Sequence, residues 1–239
     1  MNSIGNFVEE VLFLDKGVAA MCVAPENNED SVKGCNLKQF YKQYALLPNQ
    51  THSLNVKVVE DYFENLDDTD AIITFKKDLP VGIITADCVP IIVYAPDVKG
   101  VGAIHAGWKG TLGGIVDNVL EVLQERGTDL SQLIVVFGPS ISKKRYEVDN
   151  ELAGRFIEAG FKDYVAYPED ESGAISKPHI DLQGVNMERF LRRGIKHENI
   201  YLHPGCSYDS KRNDGRYAYP SHRRSHGAPD RMLTYISLS

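Results

Sequence analysis

No run of about 18 apolar residues interrupts this chain, so nothing in it reads as a membrane-spanning helix. Cysteine is scarce: four residues, at 22, 35, 88 and 206, with no CxxC pair and no regular spacing. A disulfide-stapled secreted fold is therefore not expected, and the thiols read as reduced. Met1-Asn2-Ser3-Ile4-Gly5 has neither the basic start nor the apolar core of a secretory signal, which leads us to expect a cytoplasmic protein. Basic charge is in deficit, with 26 Lys and Arg against 33 Asp and Glu, a net charge of -7. That balance argues against general nucleic-acid binding, although a local cationic pocket stays open. Repeats and low-complexity segments are missing, and so is any polar linker long enough to divide the chain. No membrane and no protein partner is implied.

What is present is ordinary globular composition, 43% hydrophobic and 25% charged over 239 residues, enough to bury a sizeable core. Short β-branched runs bounded by Gly, Pro or Asp predict strands at 7–14, 18–24, 56–59, 71–75, 81–85, 90–94, 100–105, 133–137, 200–203 and 231–237. Asp15-Lys16-Gly17 suits a hairpin turn between the first two. Apolar residues from Leu112 to Leu123 share one helical face, so a helix is expected over 111–126 with Gly127 as its stop. Asp149 and Asp181 open two more helices, ending near Gly160 and Gly194. Ser31 begins a loosely helical stretch to Leu47, and the acidic 60–70 segment reads as surface. Several consecutive strands lack helices between them. The expected fold is α/β of the α+β type: one domain, 1–239, with mixed sheets flanked by helices.

Chemistry concentrates in two strand-end motifs, Thr85-Ala86-Asp87-Cys88-Val89-Pro90 and His105-Ala106-Gly107-Trp108-Lys109-Gly110, with His52 upstream in Gln50-Thr51-His52. Neighbouring strands lie about 4.7–4.9 Å apart, so two strand-end side chains can meet at one ion. A thiolate with two imidazoles suits Zn²⁺, and copper as the alternative; three protein donors leave a position open, as in catalytic sites. Spacing alone is weak support, since 36 residues separate His52 from Cys88 and 17 separate Cys88 from His105. Each residue also has a plain structural reading: an inert strand thiol, a satisfied core histidine, a loop histidine.

These motifs, with Gly138-Pro139-Ser140-Ile141-Ser142, Tyr146-Glu147-Val148, Asp181-Leu182, Cys206-Ser207-Tyr208 and Ser221-His222-Arg223-Arg224, resemble the YfiH/YlmD family over roughly residues 48–236. Its members were once described as polyphenol oxidases with a laccase domain and are now described as zinc-dependent purine nucleoside phosphorylases with adenosine deaminase activity. The resemblance implies metal ligands and catalytic residues at His52, Cys88 and His105, and purine nucleosides and phosphate as reactants. The chain departs from the family where Asn36 is followed by Leu37 instead of arginine, and at Asp230, where glycine is usual. It also lacks the family's Gly-Gly-Val-Ser and Ser-Leu-Asn elements. If an arginine at 37 holds phosphate or nucleoside, this chain uses another group.

Substrate-binding candidates are Gln50, Asp87, Lys109, Arg223 and Arg224. Lys109 precedes the expected helix, whose N-terminus favours anions. Paired arginines can clamp an oxyanion. Asp87 is a candidate to orient His105 or His52, and Gln50 to meet a nucleoside. His222 and His226 read as a surface loop, His179, His197 and His203 have no partner motif, and Cys22, Cys35 and Cys206 read as packing thiols. The competing expectations are a copper-dependent phenol oxidase, a hydrolase with Cys88 as nucleophile and His105 as base, and a metal-binding module without catalysis. Seven histidines with no His-x-His do not suit a three-copper cluster.

Overall fold

The structure is a computed structural model, and it describes residues 7–15, 18–25, 37–62, 64–169, 173–226 and 230–239. Its strands are β1 (Phe7–Asp15), β2 (Val18–Pro25), β3 (Val56–Val59), β4 (Ala71–Thr74), β5 (Val81–Thr85), β6 (Val89–Ala95), β7 (Gly100–Ala106), β8 (Ile134–Phe137), β9 (Val165–Ala166), β10 (His179–Ile180), β11 (Ile200–Leu202) and β12 (Met232–Leu238). Its helices are α1 (Leu37–Tyr41), α2 (Trp108–Gly113), α3 (Ile115–Glu125), α4 (Asn150–Glu158) and α5 (Leu182–Arg192). The mixed α/β class is as expected. Every predicted strand is present, while the two-residue pair β9–β10 was not foreseen. The turn residues Lys16 and Gly17, the cap Ser31, Cys35, Asn36 and the Gly227–Pro229 turn lie outside the described residues.

Two sheets stack. The first has the order β1-β2-β12-β5 and is antiparallel; the second runs β11-β8-β6-β7-β4-β3, with parallel pairs at its two edges. The alternation of side chains across a strand explains the layering. Ile72, Ile92 and Ala103 face the first sheet and pack on Val81, Ile83 and Ile236. Their neighbours Ile73, Ile91, Val93 and Ile104 face the other way, onto Ile115, Val119, Leu120, Phe156 and Phe190 of the helices. Both faces of the central sheet are buried, which is why its strands read as unbroken apolar runs. Truncating one such side chain, Ile91→Ala for instance, removes about 2–5 kcal/mol.

The helix expected over 111–126 is two helices. Gly114 takes φ 88°, caps α2 and lets the chain restart as α3. Only glycine enters that region without strain. A Cβ there would also lie 2.8 Å from Asp117 Oδ2. Arg189 of α5 covers the loose end of α2, its guanidinium donating to the carbonyls of Thr111 (3.0 Å) and Leu112 (2.8 Å) and pairing with Asp117. This anchor fixes α2, and with it Gly107 and Trp108, against the sheet. The N-cap expectations hold: Asp149 accepts from Leu152 N and Asp181 from Gly184 N.

Candidate metal centre

β5 belongs to the first sheet and β6 to the second, so Ala86-Asp87-Cys88 is the bend by which the chain changes sheets. Asp87 takes φ 85° there. Its carboxylate accepts from Ser207 Oγ at 2.6 Å and from Arg223 N at 2.7 Å, which holds the bend open. Cys88 stands at the corner. The next strand but one, β7, pairs with β6 so that His105 lies opposite Pro90. The third residue comes from the irregular segment before β3, where His52 takes φ 63°.

The donor atoms of His52, Cys88 and His105 all lie within 4.8 Å of one another. Cys88 Sγ is 3.8 Å from His52 Nε2, and the two imidazole rings meet edge to face with centroids 4.8 Å apart. Gly107 keeps the space clear: a Cβ there would lie 2.8 Å from His52 Cδ2 and 3.0 Å from Cys88 Sγ. One thiol and two imidazoles converging on a space that a methyl group would fill are a donor set that could hold a zinc or copper ion.

The carboxylate that orients the cluster is Asp70, not Asp87. Fully buried, it accepts from His105 Nδ1 at 2.6 Å and from the backbone N–H groups of Thr51 (3.0 Å), His52 (3.1 Å) and Ser53 (2.7 Å). One side chain thus shapes the His52 segment and turns the other nitrogen of His105 toward Cys88. Burial opposes its charge, but the bonds from His105, Thr51 and Ser53 outweigh it and bring its pKa down to about 2. For Cys88, burial would raise the pKa; the charge of His105 and hydrogen bonds from both histidines prevail and lower it to about 6. Burial would lower His105, whereas Cys88 and Asp70 hold it up at about 9. A thiolate at neutral pH is the form a metal ligand requires.

His52, Cys88 and His105 line a cavity of about 640 Å³, within the range of roughly 300–1,000 Å³ common for small-molecule sites. Of the substrate candidates, Gln50, Asp87 and Arg223 line it. Gln50 grips the backbone of Ile84, donating from Nε2 (2.8 Å) and accepting at Oε1 (2.9 Å), so it braces β5. Lys109 is exposed, stands over Trp108 at 5.7 Å and does not line the cavity. The helix it was expected to precede starts at Trp108 and is six residues long, too short for a helix-dipole argument. Arg223 and Arg224 part company. Arg224 donates to the carbonyls of Ser207 (2.7 Å), Tyr208 (2.6 Å) and Tyr219 (2.7 Å) and covers the Tyr217 ring, so it braces the loop and leaves only Arg223 for the cavity. Sequence reasoning missed Lys38, Trp108, Tyr146, His222 and Arg231 as wall residues. Their positions are set by long-range packing, and only Trp108, Tyr146 and His222 belonged to a motif that could have pointed to them. Cys22 and Cys206 are buried free thiols, as expected.

The family model described as multi-copper polyphenol oxidoreductase laccase matches residues 24–239. A curated relative named adenosine deaminase RL5, from an unknown prokaryotic organism, is 33% identical over 173 residues, 68% of this chain and 64% of its own length. A purine nucleoside phosphorylase of Bacteroides thetaiotaomicron is 34% identical over 174 residues, 68% of this chain and 63% of its own. The match thus spans slightly less than two thirds of either relative. The crystal structure of the hypothetical protein YfiH of Bacillus licheniformis superposes with a TM-score of 0.76 at 24% identity, covering 93% of each chain, and shares the fold. With the family model running over residues 24–239, the whole second sheet and all three donor positions included, this chain belongs to the multi-copper polyphenol oxidoreductase laccase family, the YfiH/YlmD family that its motifs resemble.

Proposed function

We propose that this protein is a cytoplasmic zinc enzyme of purine nucleosides. It converts adenosine or inosine and phosphate to free base and ribose 1-phosphate, and it deaminates adenosine. The observation that carries the reading is the convergence of His52, Cys88 and His105 in the lining of a nucleoside-sized cavity. The names of the curated relatives supply the two reactions. Free thiols at Cys22, Cys88 and Cys206 suit a reducing compartment. No helix among the described residues is long and apolar enough to cross a membrane. Residues 1–239 act as one domain in this proposal, and limited proteolysis releasing a shorter stable core would overturn that part.

His52, Cys88 and His105 would hold the ion, which when bound supplies Lewis acidity toward an oxygen in the cavity. Phosphorolysis breaks the bond from C1′ to the base nitrogen, leaving positive charge on the sugar and negative charge on the base. The chain's residues meet those demands. Trp108 and Tyr146 offer aromatic walls for a purine. Burial, with the nearby Cys88 and Asp87 charges, raises the Tyr146 phenol, so it stays protonated as a donor. The Arg223 guanidinium, 5.5 Å from the Tyr146 ring, offers a cation to an oxyanion.

The test is product analysis of the zinc-loaded protein with adenosine or inosine, with and without phosphate. Phosphate-dependent base and ribose 1-phosphate, and ammonia from adenosine, are expected. Absence of all three products would overturn the proposal. A second reading has its own observation: a thiol lowered to about 6 beside an imidazole is also the arrangement of a cysteine nucleophile and its base. A chelator spares such a hydrolase and a thiol alkylating agent kills it, whereas the zinc enzyme loses activity to both. A phenol oxidase with several coppers would need further donor clusters; His52, Cys88 and His105 are the one such group among the described residues.

A further inference from the structure

The chain as a whole is acidic, at -7, yet the wall of the cavity is not. Apart from the His52–Cys88–His105 cluster, its charged groups are Lys38, Arg223 and Arg231 against one carboxylate, Asp87. Asp87 is already engaged, by Ser207 Oγ and Arg223 N. Lys38 is the cation that no motif pointed to. Its Nζ donates to Asn49 Oδ1 at 3.2 Å, and among the described residues no carboxylate lies within ion-pair distance of it. Burial and then Lys42 press its pKa down, against a smaller opposing pull from Asp67. A half-buried ammonium with one neutral partner has donors to spare.

Its placement is fixed. Lys38 and Tyr41 are three apart on α1 and share a helix face. Tyr41 is fully buried, and its hydroxyl donates to the Arg231 carbonyl at 2.7 Å. That bond ties the helix carrying Lys38 to the Arg231 backbone, and both side chains line the cavity, while Asn49 ties Lys38 to the segment leading into His52. Arg231 spends one N–H on the Asp230 carbonyl at 3.1 Å and keeps the rest of its fork. Two cations lining one cavity, Lys38 with a neutral amide as its hydrogen-bond partner, suit a dianion with several acceptor oxygens.

We propose that Lys38 and Arg231 form a seat for a phosphate group, and that Lys38 sets the affinity for the phosphate-bearing reactant. The proposal rests on the nucleoside reading above. The group is either free inorganic phosphate or the 5′-phosphate of a nucleotide, and the two are separable by experiment. Lys38→Met keeps the aliphatic stem and removes the charge; Lys38→Arg restores it.

With the zinc-loaded full chain, Lys38→Met is expected to raise the KM for inorganic phosphate in inosine phosphorolysis about tenfold or more, the loss of one charge-assisted hydrogen bond. Phosphate-independent deamination of adenosine, which leaves the seat empty, is expected to lose less than phosphorolysis does, and Lys38→Arg recovers most of the loss. A rise confined to the KM of a nucleoside 5′-monophosphate would assign the seat to the nucleotide instead. Calorimetric titration with inorganic phosphate and with a nucleoside monophosphate reads the same seat without turnover. Wild-type protein that binds phosphate weakened by Lys38→Met, but forms no product, would overturn the phosphorylase reading and leave the seat standing. A folded Lys38→Met protein with unaltered constants for both ligands would overturn the seat alone.

Discussion

Two carboxylate–histidine pairs occur among the described residues, in different parts of the fold. Asp70 meets His105 at 2.6 Å with both side chains buried, while Glu10 of β1 meets His203 at 2.9 Å with 41% of the Glu10 side chain exposed. The chemistry of each pair is the same; the second nitrogen of the histidine decides its use. His203 Nδ1 accepts from Gly205 N at 2.9 Å, and Tyr219 donates to the other Glu10 oxygen at 2.9 Å, so every group is spent on tying the C-terminal loop to β1. In His105 the second nitrogen faces Cys88 and His52. A carboxylate on an imidazole marks a ligand only where the fold leaves the opposite nitrogen uncommitted.

The sharpest break of this contrast is Cys88→Ala or His105→Ala. Either is expected to lower zinc affinity beyond the roughly 100-fold that an outer partner costs and to abolish turnover with the fold retained; stoichiometric zinc by elemental analysis in both variants would sink the ligand assignment. Asp70→Asn comes next, with metal affinity down about 10–100-fold, read by competition with a chromophoric chelator. Asp70 also predicts a pH dependence. Its folded pKa, about 2, is depressed, so its contribution to stability is present above the ordinary value of about 4 and lost as pH falls through about 2. Denaturant midpoints measured down through that window should fall less in Asp70→Asn than in the parent.

Gly107→Ala isolates the packing of the cluster. The backbone there, φ -72° and ψ 176°, suits alanine, so the expected loss of metal affinity comes from the new methyl against His52 and Cys88, and unchanged zinc binding would show that the ligands give way. The smallest effect is assigned to Glu10→Gln. Zinc content and turnover should match the parent, and stability should drop by no more than about 1 kcal/mol. A metal defect in that variant would erase the distinction between the two pairs.

Much of this was legible in one dimension. Strands buried on both faces advertise themselves as apolar runs, and Asp149 and Asp181 announce helix starts because an N-cap is a local interaction. Gly113-Gly114 held the signal that breaks the 111–126 helix, but a strong apolar periodicity on either side masked it. Asp70 looked like the tail of an acidic surface segment. Its role appears only when β4 is laid beside β7 and the 51–53 backbone folds over it. Arg223 and Arg224 are adjacent in sequence and so look like a clamp, yet successive side chains leave the backbone in different directions, and one faces the cavity while the other is consumed by carbonyls.

The sequence by itself determined the elements and the class of the fold, because periodicity and caps are properties of neighbouring residues, and its motif resemblance pointed to His52, Cys88 and His105 as candidate donors. Tertiary structure alone decided which carboxylate orients which histidine, which arginine is available, and that Lys38 and Arg231, 193 residues apart in the numbering, line one cavity. Those are contacts between distant segments, set by how the sheets stack and where the chain crosses between them.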